Sequence, residues 1–169
     1  KEDILACFKK YQTWGSYSPE DDEVVIFSGS VYGNTEDFST LLATLVAQRG
    51  IRNTKVLDIS SIDVSYLLSE AFRAKVLVFA SSSYNGGLFT PMENFLMDLV
   101  AHNFQNRDVF VVENGSWALT AGKSMREIIG QLKKVNIAEE TISIKSLLSK
   151  DQYADTVAMA DKIVECLKK

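Results

Sequence analysis

The residues best suited to chemistry lie in one short run, Ser28-Gly29-Ser30-Val31-Tyr32-Gly33-Asn34-Thr35. It holds two glycines, three hydroxyl side chains besides Tyr32, one Asn and no charge. Ahead of it, Val24-Val25-Ile26-Phe27 is continuously apolar, the pattern of a parallel strand covered on both faces. Behind it, Phe38, Leu41, Leu42, Leu45 and Val46 recur at helical spacing. Backbone N–H groups and small hydroxyls leading into a helix start make an anion site. The first-turn N–H groups lack intrahelical partners, and the helix dipole favours negative charge there. With no Lys or Arg in the loop, a phosphate must be buried and held by geometry. That suits one cofactor monophosphate better than a transferable polyphosphate. The plainer alternative is a strand-to-helix turn with a capping Ser. A P-loop is excluded: Gly29 and Gly33 have three residues between them and no Lys follows, and Gly122-Lys123-Ser124 has Trp117 where the first P-loop glycine belongs. The Rossmann G-x-G-x-x-G pattern is absent.

Two further stretches place small, flexible residues around one large aromatic. Tyr84 sits in Ser83-Tyr84-Asn85-Gly86-Gly87, and Trp117 in Asn114-Gly115-Ser116-Trp117. A flat heteroaromatic ring wants aromatic faces beside it, worth about 0.5–1.5 kcal/mol per pair beyond area burial. Along its polar edge it wants backbone N–H and C=O groups, which Gly lets approach closely. Either aromatic alone reads equally as loop packing. A phosphate pocket with both aromatics on one crevice reads as a container for FMN.

The elements that must position these loops follow from hydrophobic pattern and punctuation. Residues 1 to about 13 predict a short helix, with Ile4, Leu5, Phe8 and Tyr11 at helical spacing, broken by Trp14 to Pro19. Glu20 to Glu23 reads as a solvated acidic run. A helix is predicted from about Thr35 to Gln48, with Gly50 as its C-terminal cap. Thr54 to Ile59 reads as a strand, and Ser61 to Phe72 as a helix with Asp63 as N-cap. Lys75 to Ala80 is a third strand. Thr90-Pro91-Met92-Glu93 reads as a capping box with Pro at the first helical position, opening a helix that turns Met92, Phe95, Leu96 and Leu99 inward. Asp108 to Val112 is a fourth strand. Met125, Ile128, Ile129 and Leu132 mark a further helix, Glu140 to Lys145 an edge-like strand, and Tyr153, Val157, Ala160, Val164 and Leu167 the inner face of the last helix. Strands alternating with helices in this way predict a doubly wound α/β sheet. Its ligand belongs outside the strand C-termini, where strand order reverses. Loops 28–35, 81–89 and 113–120 converge there.

The first loop matches the flavodoxin phosphate pattern Ser/Thr-x-Ser/Thr-Gly-x-Thr, with Ser30, Gly33 and Thr35 in place and Tyr32 at the third position. Ser30 to Glu36 as a whole resembles the flavodoxin-like domain of flavodiiron proteins (A-type flavoproteins), where Tyr is usual there. Ser81-Ser82-Ser83-Tyr84-Asn85-Gly86-Gly87-Leu88-Phe89-Thr90-Pro91-Met92-Glu93 looks like that family's Ser-Pro-Thr-Tyr-Asn-Asn-Gly-Leu-Phe-Pro-Pro-Met-Glu segment. Glu113 to Ala118 is similar to its third flavin loop. The likeness runs from about residue 11 to 168. It implies a flavodoxin-like, five-stranded parallel sheet of order 2-1-3-4-5 in three layers. It further implies that Ser30, Val31, Tyr32, Gly33, Asn34 and Thr35 take the FMN phosphate. Ser82, Ser83, Tyr84, Asn85 and Gly86 take one edge of the isoalloxazine, and Asn114, Gly115, Ser116 and Trp117 the other. Two departures bear on affinity: Ser82 stands for the usual Pro, which loosens the loop, and Ser83 for Thr. The implied role is relay of single electrons, with the 81–89 backbone bonding the flavin N5 edge and Gly86 or Gly87 free to flip. No side-chain acid or base is needed.

Tyr11-Gln12-Thr13-Trp14 looks like the Tyr-x-x-Trp segment that joins metal-binding and flavin domains in that family. Residues 1–22 are therefore expected to be the tail and linker of a preceding domain, and 23–169 the FMN domain; an arm packed on the domain is the plainer reading. A chain starting at Lys1 rather than Met is expected to be a fragment or processed product. Whole flavodiiron proteins pass electrons to a two-iron centre and assemble head to tail. The expected partners are thus a redox protein or a metal-binding domain of the same polypeptide, with a head-to-tail homodimer if that domain exists. With one histidine, His102, this chain is not expected to hold a His-rich metal centre itself. His102 is assigned a capping or solvent-facing place near the end of the third helix.

The composition, 169 residues with 46% hydrophobic and 24% charged, suits one globular domain. A net charge of −4 with no basic stripe argues against nucleic acid. No run reaches the length of a membrane span and no signal peptide is visible. Cys7 and Cys166 form no C-x-x-C and fit a reducing, cytoplasmic setting. The rivals within the fold are a free-standing flavodoxin and an NAD(P)H:quinone reductase. A signalling receiver needs acids where Ser28-Gly29 and Ala80-Ser81 stand. A serine hydrolase lacks its nucleophile elbow.

Overall fold

The computed structural model describes residues 4–168. In chain order the elements are α1 (Ile4–Gly15), β1 (Asp21–Gly29), α2 (Asn34–Gln48), β2 (Thr54–Asp58), α3 (Val64–Arg73), β3 (Ala74–Tyr84), β4 (Gly87–Leu88), α4 (Thr90–Ala101), β5 (Gln105–Asn114), α5 (Ala121–Ile129), β6 (Lys133–Ile144) and α6 (Lys150–Lys168). The long strands are parallel in the order β2-β1-β3-β5-β6, and β4 folds back antiparallel on the end of β3. Counted over the five long strands, this is the expected 2-1-3-4-5.

Alternation along β1 explains the three layers. Val24 and Ile26 face one side and Val25 and Phe27 the other, because strand side chains alternate across the sheet. On the first face, Phe38, Leu42 and Val46 of α2 and Ile163, Val164 and Leu167 of α6 close over Val76, Val78, Phe110 and Val112. On the second, Leu67 of α3, Met92, Phe95, Leu96 and Leu99 of α4 and Met125 and Ile129 of α5 cover Leu77, Phe79, Val109 and Val111. Phe27 stacks on Phe79 at 5.5 Å and tilts against Phe95 at 4.7 Å, so three aromatic rings tie β1, β3 and α4 together.

Several boundaries differ from the sequence reading, each for a physical reason. Strand β1 starts inside the acidic run: Glu23 is fully buried, with one oxygen 2.8 Å from Lys55 Nζ on β2. Strands β3 and β5 continue through Ser81–Tyr84 and Glu113–Asn114, polar residues that ladder pairing holds extended. The last strand begins at Lys133 rather than Glu140, and extra residues interrupt its pairing with β5 between Val109 and Val111. Thr90 does not cap α4; Phe89 occupies the N-cap and no side chain bonds there. Tyr153 is exposed on α6, and Thr156 takes the inward place. Asp63, Gly50 and His102 are where expected. Asp63 accepts from Ser65 N at 2.9 Å, Gly50 takes φ +91° after α2, and His102 caps α4 with its ring on the Asp98 carbonyl.

The expected N-terminal helix forms over 4–15, and residues 1–3 of it lie outside the described residues. It is not an arm packed on the domain: no residue of α1 is buried, and Ile4, Leu5, Phe8 and Tyr11 are all exposed. The chain is anchored just after it. Arg107, 4% exposed at the opposite edge of the sheet from the strand C-termini, donates to the carbonyls of Tyr17, Phe72 and Ala74 at 2.5–2.6 Å. Its guanidinium lies 5.3 Å from the Phe104 ring centroid. Burial pushes its pKa down to about 10, and it meets carbonyls rather than a carboxylate. Arg107→Met therefore leaves several buried acceptors unpaired. The expected result is a loss of about 2–4 kcal/mol, read as a lower urea midpoint at unchanged slope.

Candidate functional site

The strand order reverses between β1 and β3, and the C-terminal ends of β1, β3 and β5 open there together. In the first loop, Ser30 Oγ accepts from Gly33 N at 2.9 Å, and Gly33 sits at φ +90°, a left-handed conformation that glycine adopts without strain. Helix α2 starts at the next residue with Gly33 as its N-cap and no side-chain hydrogen bond. Thr35 is buried, and its hydroxyl meets Ser82 Oγ at 3.0 Å. Ser39 Oγ donates to the Thr35 carbonyl at 2.8 Å and lies 3.2 Å from Ser28 Oγ. Thr35 is thus a tie between the first loop and the end of β3.

The other helix starts are occupied by the protein's own groups. Asp63 caps α3, and hydrogen bonds from Ser65 hold its carboxyl below the usual range. Pro91 removes one N–H from the first turn of α4, and the Phe89 carbonyl accepts from Met92 and Glu93 at 2.9 and 3.1 Å. At α5, Ser83 Oγ accepts from Thr120 N and Ala121 N at 3.0 and 3.1 Å, and Glu113 accepts from Gly122 N at 2.7 Å. At α6, Ser149 and Gln152 bond each other's backbone N–H reciprocally, a capping box. Helix α2 has a glycine, Gly33, at its N-cap and so no capping side chain to offer.

The stretch read as the second loop is a hairpin. Ser83 pairs with Leu88 and Tyr84 with Gly87. Asn85 and Gly86 turn between them at φ 48° and 74°, both positive as a type I′ turn requires. The Asn-Gly pair between strand-forming residues was the signal for it. Ser82 does not simply loosen this segment, since its hydroxyl bonds Thr35 and its carbonyl accepts from Phe89 N at 3.2 Å. The third loop is tight. A Cβ on Gly115 would lie 2.4 Å from the Ala118 carbonyl oxygen and 3.1 Å from Ser83 Oγ. Asn114 donates to the Ser146 carbonyl at 3.1 Å and accepts from Ser146 N at 3.0 Å, and the Ser116 and Ser146 hydroxyls meet at 2.6 Å.

These loops enclose a cleft of about 360 Å³. Its lining includes Ser30, Val31, Tyr32, Asn34, Ser82, Ser83, Tyr84, Asn85, Gly86, Asn114, Gly115, Ser116 and Trp117. Of the residues singled out in the sequence, Gly33 and Thr35 are not in the lining; Thr35 is buried and braces Ser82, which is. Ala118 and Ser146 line it too and were missed. Ser146 follows an edge strand and takes φ +63°, which composition does not signal. No lining residue is charged. Trp117 and Tyr32 are almost wholly exposed and Tyr84 is 46% exposed, so three rings stand around polar walls. A larger cleft of about 500 Å³ lies between β6 and α6, but its rim groups answer one another. Lys162 pairs with Glu140, and Gln152 donates to the Ser143 carbonyl. Among the described residues no group of three or more His, Cys, Asp or Glu is placed to hold a metal ion, and no helix is long and apolar enough to cross a membrane.

No protein-family model matches the sequence, and comparison with curated proteins gives no match. Solved structures do match. The chain is similar to rubredoxin oxygen:oxidoreductase from the anaerobe Desulfovibrio gigas at TM-score 0.86 and 22% identity, over 96% of this chain and 40% of that one. It is similar to the flavodiiron protein of Giardia intestinalis at TM-score 0.86 and 16% identity, over 99% of this chain and 42% of that one. An archaeal flavodoxin matches at TM-score 0.71 and 17% identity, over 87% of this chain and 99% of its own length. The chain thus spans about two fifths of the flavodiiron structures. At these identities the likeness establishes the fold, which is flavodoxin-like. Within that fold, Gly115→Ala is expected to force the third loop open at a cost of about 1–3 kcal/mol, checked by a lower thermal midpoint and altered Trp fluorescence.

Proposed function

We propose that this flavodoxin-like domain binds FMN and passes single electrons to a metal centre on another domain, as the flavin part of a flavodiiron oxygen or nitric oxide reductase. The observation that carries the reading is the start of α2. It alone among helices α2 to α6 has its N-terminus open rather than filled by a side chain or a proline, and it opens at the switch point beside a charge-free cleft rimmed by Tyr84 and Trp117. The residues fit the group. Ser30, Asn34 and the Val31–Thr35 backbone offer neutral donors to a phosphate. The backbones of Ser82–Gly86 and Asn114–Ser116 face a ring's polar edges, and the two aromatics offer faces. FMN supplies one-electron chemistry when bound.

The protein's part is to hold and orient. Thr35 with Ser82, and Ser83 with Thr120 and Ala121, tie the three loops together so that phosphate and ring sites keep one spacing. In the hairpin, flipping the Asn85–Gly86 peptide would send Asn85 into backbone space reserved for glycine. The Gly86–Gly87 peptide is the one free to turn.

Residues 1–22 are read as the lead-in from a preceding metal-binding domain, in a cytoplasmic protein whose subunits assemble head to tail. The exposed apolar face of α1 and the greater length of the flavodiiron neighbours support this. A second reading, a free electron carrier, is favoured by the match across nearly the whole archaeal flavodoxin. Reduction of an added two-iron domain in trans, against reduction of soluble carriers only, separates the two.

The purified chain is expected to be yellow, to release FMN on heating and to quench FMN fluorescence on titration. Trp117→Ala and Tyr84→Ala are each expected to weaken FMN binding about 5- to 10-fold, in line with about 1 kcal/mol per aromatic face. A colourless chain that also leaves added FMN fluorescence unchanged would overturn the proposal.

A further inference from the structure

Glu113 is 8% exposed at the end of β5, one residue before Asn114 in the cleft wall. One oxygen accepts from Gly122 N at 2.7 Å and the other from Ser143 Oγ at 2.7 Å. Each oxygen thus has one hydrogen-bond partner, and no cationic side chain pairs with the group among the described residues. The fold is cut to admit this group. A Cβ on Gly122 would lie 2.8 Å from the Glu113 carboxyl, so a larger residue there would push the carboxyl from its present place against the start of α5. The cleft therefore has uncharged walls with one buried, unpaired anion behind the third loop.

We propose that the fixed negative charge of Glu113 lowers the reduction potential of the flavin in this cleft; the inference rests on the FMN reading above. Adding one electron from a reduced donor makes the cofactor more negative, and a neighbouring anion opposes that. No bond to Glu113 forms or breaks, and no proton leaves it. Burial decides why this carboxylate matters more than others nearby. Glu36 and Asp37 at the start of α2 are exposed, and their fields are screened by water and salt within about 10 Å. Glu113 acts through protein of much lower effective dielectric. Glu113 is a positioning residue as well, since its bond to Gly122 holds α5 against the strand end beneath the third loop.

The test is a redox titration of the FMN-loaded chain and of Glu113→Gln, preceded by FMN fluorescence titration and circular dichroism of both. Glutamine keeps the volume and an acceptor for Gly122 N while removing the charge. The expected result is a more easily reduced flavin in the variant. The ratio of reduced to oxidised cofactor at a given potential should rise about tenfold, 59 mV for a one-electron couple. Ser143→Ala, which keeps the charge and removes one hydrogen bond, is expected to stay near the parent potential. Equal potentials in the parent and Glu113→Gln would overturn the inference. So would an equal rise in Ser143→Ala, which would assign the effect to geometry. Loss of FMN binding in Glu113→Gln alone would make Glu113 a builder of the pocket and overturn its role as a charge. Failure of the parent chain to bind FMN would appear first, in the fluorescence titration, and would remove the functional proposal and this inference together.

Discussion

A helix that starts at the C-terminal edge of a parallel sheet brings N–H groups that its own turns cannot satisfy. In this domain several helices start at that edge, and the disposal of those groups orders everything around the cleft. Side chains from two strands, two loops and one helix's own first turn are recruited for it: Ser83 and Glu113 reach α5, Asp63 closes α3, and Ser149 and Gln152 close α6. Each such bond also ties a loop down. The same bonds that satisfy α5 hold the β3–β4 hairpin against the third loop, so closing the helix and bracing the rim are one task.

The two ends of the sheet are built on opposite terms. At the end away from the cleft, charged side chains meet partners: buried Arg107 meets backbone carbonyls, one oxygen of buried Glu23 lies beside Lys55, and the more exposed Arg73 sits between Asp21 and Glu70. At the cleft end, the lining is neutral and the aromatic side chains stand out into solvent. Burying charge is costly unless its partners are in place. That end is also where the N-terminal segment is fastened, through the Tyr17 carbonyl on Arg107.

Much of the fold was legible in the sequence because apolar runs such as Val76-Leu77-Val78-Phe79 have one stable use, as strands covered on both faces. Strand ends were not. Ser81 to Tyr84, Glu113-Asn114 and Lys133 to Glu139 are extended because a neighbour pairs with them, and pairing is a property of the sheet rather than of the segment. The acidic run misled for a related reason. Glu23 looks solvated until β2 brings Lys55 to it. At the site, the residue types pointed to the cleft, but not to the division of labour within it. Beside the contacts expected of them, the hydroxyls of Thr35, Ser82 and Ser83 are cross-ties between the loops, which residue type does not signal. Ser146 reaches the cleft from a fourth loop that no local pattern marks.

The irregularity in β6 has a consequence for the molecule in a crowded solution. An outermost strand offers a row of unpaired carbonyls and amides on which another chain can polymerise. Here the extra residues bend β6 out of a straight line. Arg126 reaches across from α5, its Nη2 donating to the carbonyls of Ala138 and Glu139 and its Nε to Thr141 Oγ1. Those carbonyls are therefore closed to a foreign strand, and Lys133 and Lys134 place positive charge at the strand's entrance. The guanidinium that anchors β6 to the domain thereby takes up two of the acceptors that edge-to-edge pairing would use.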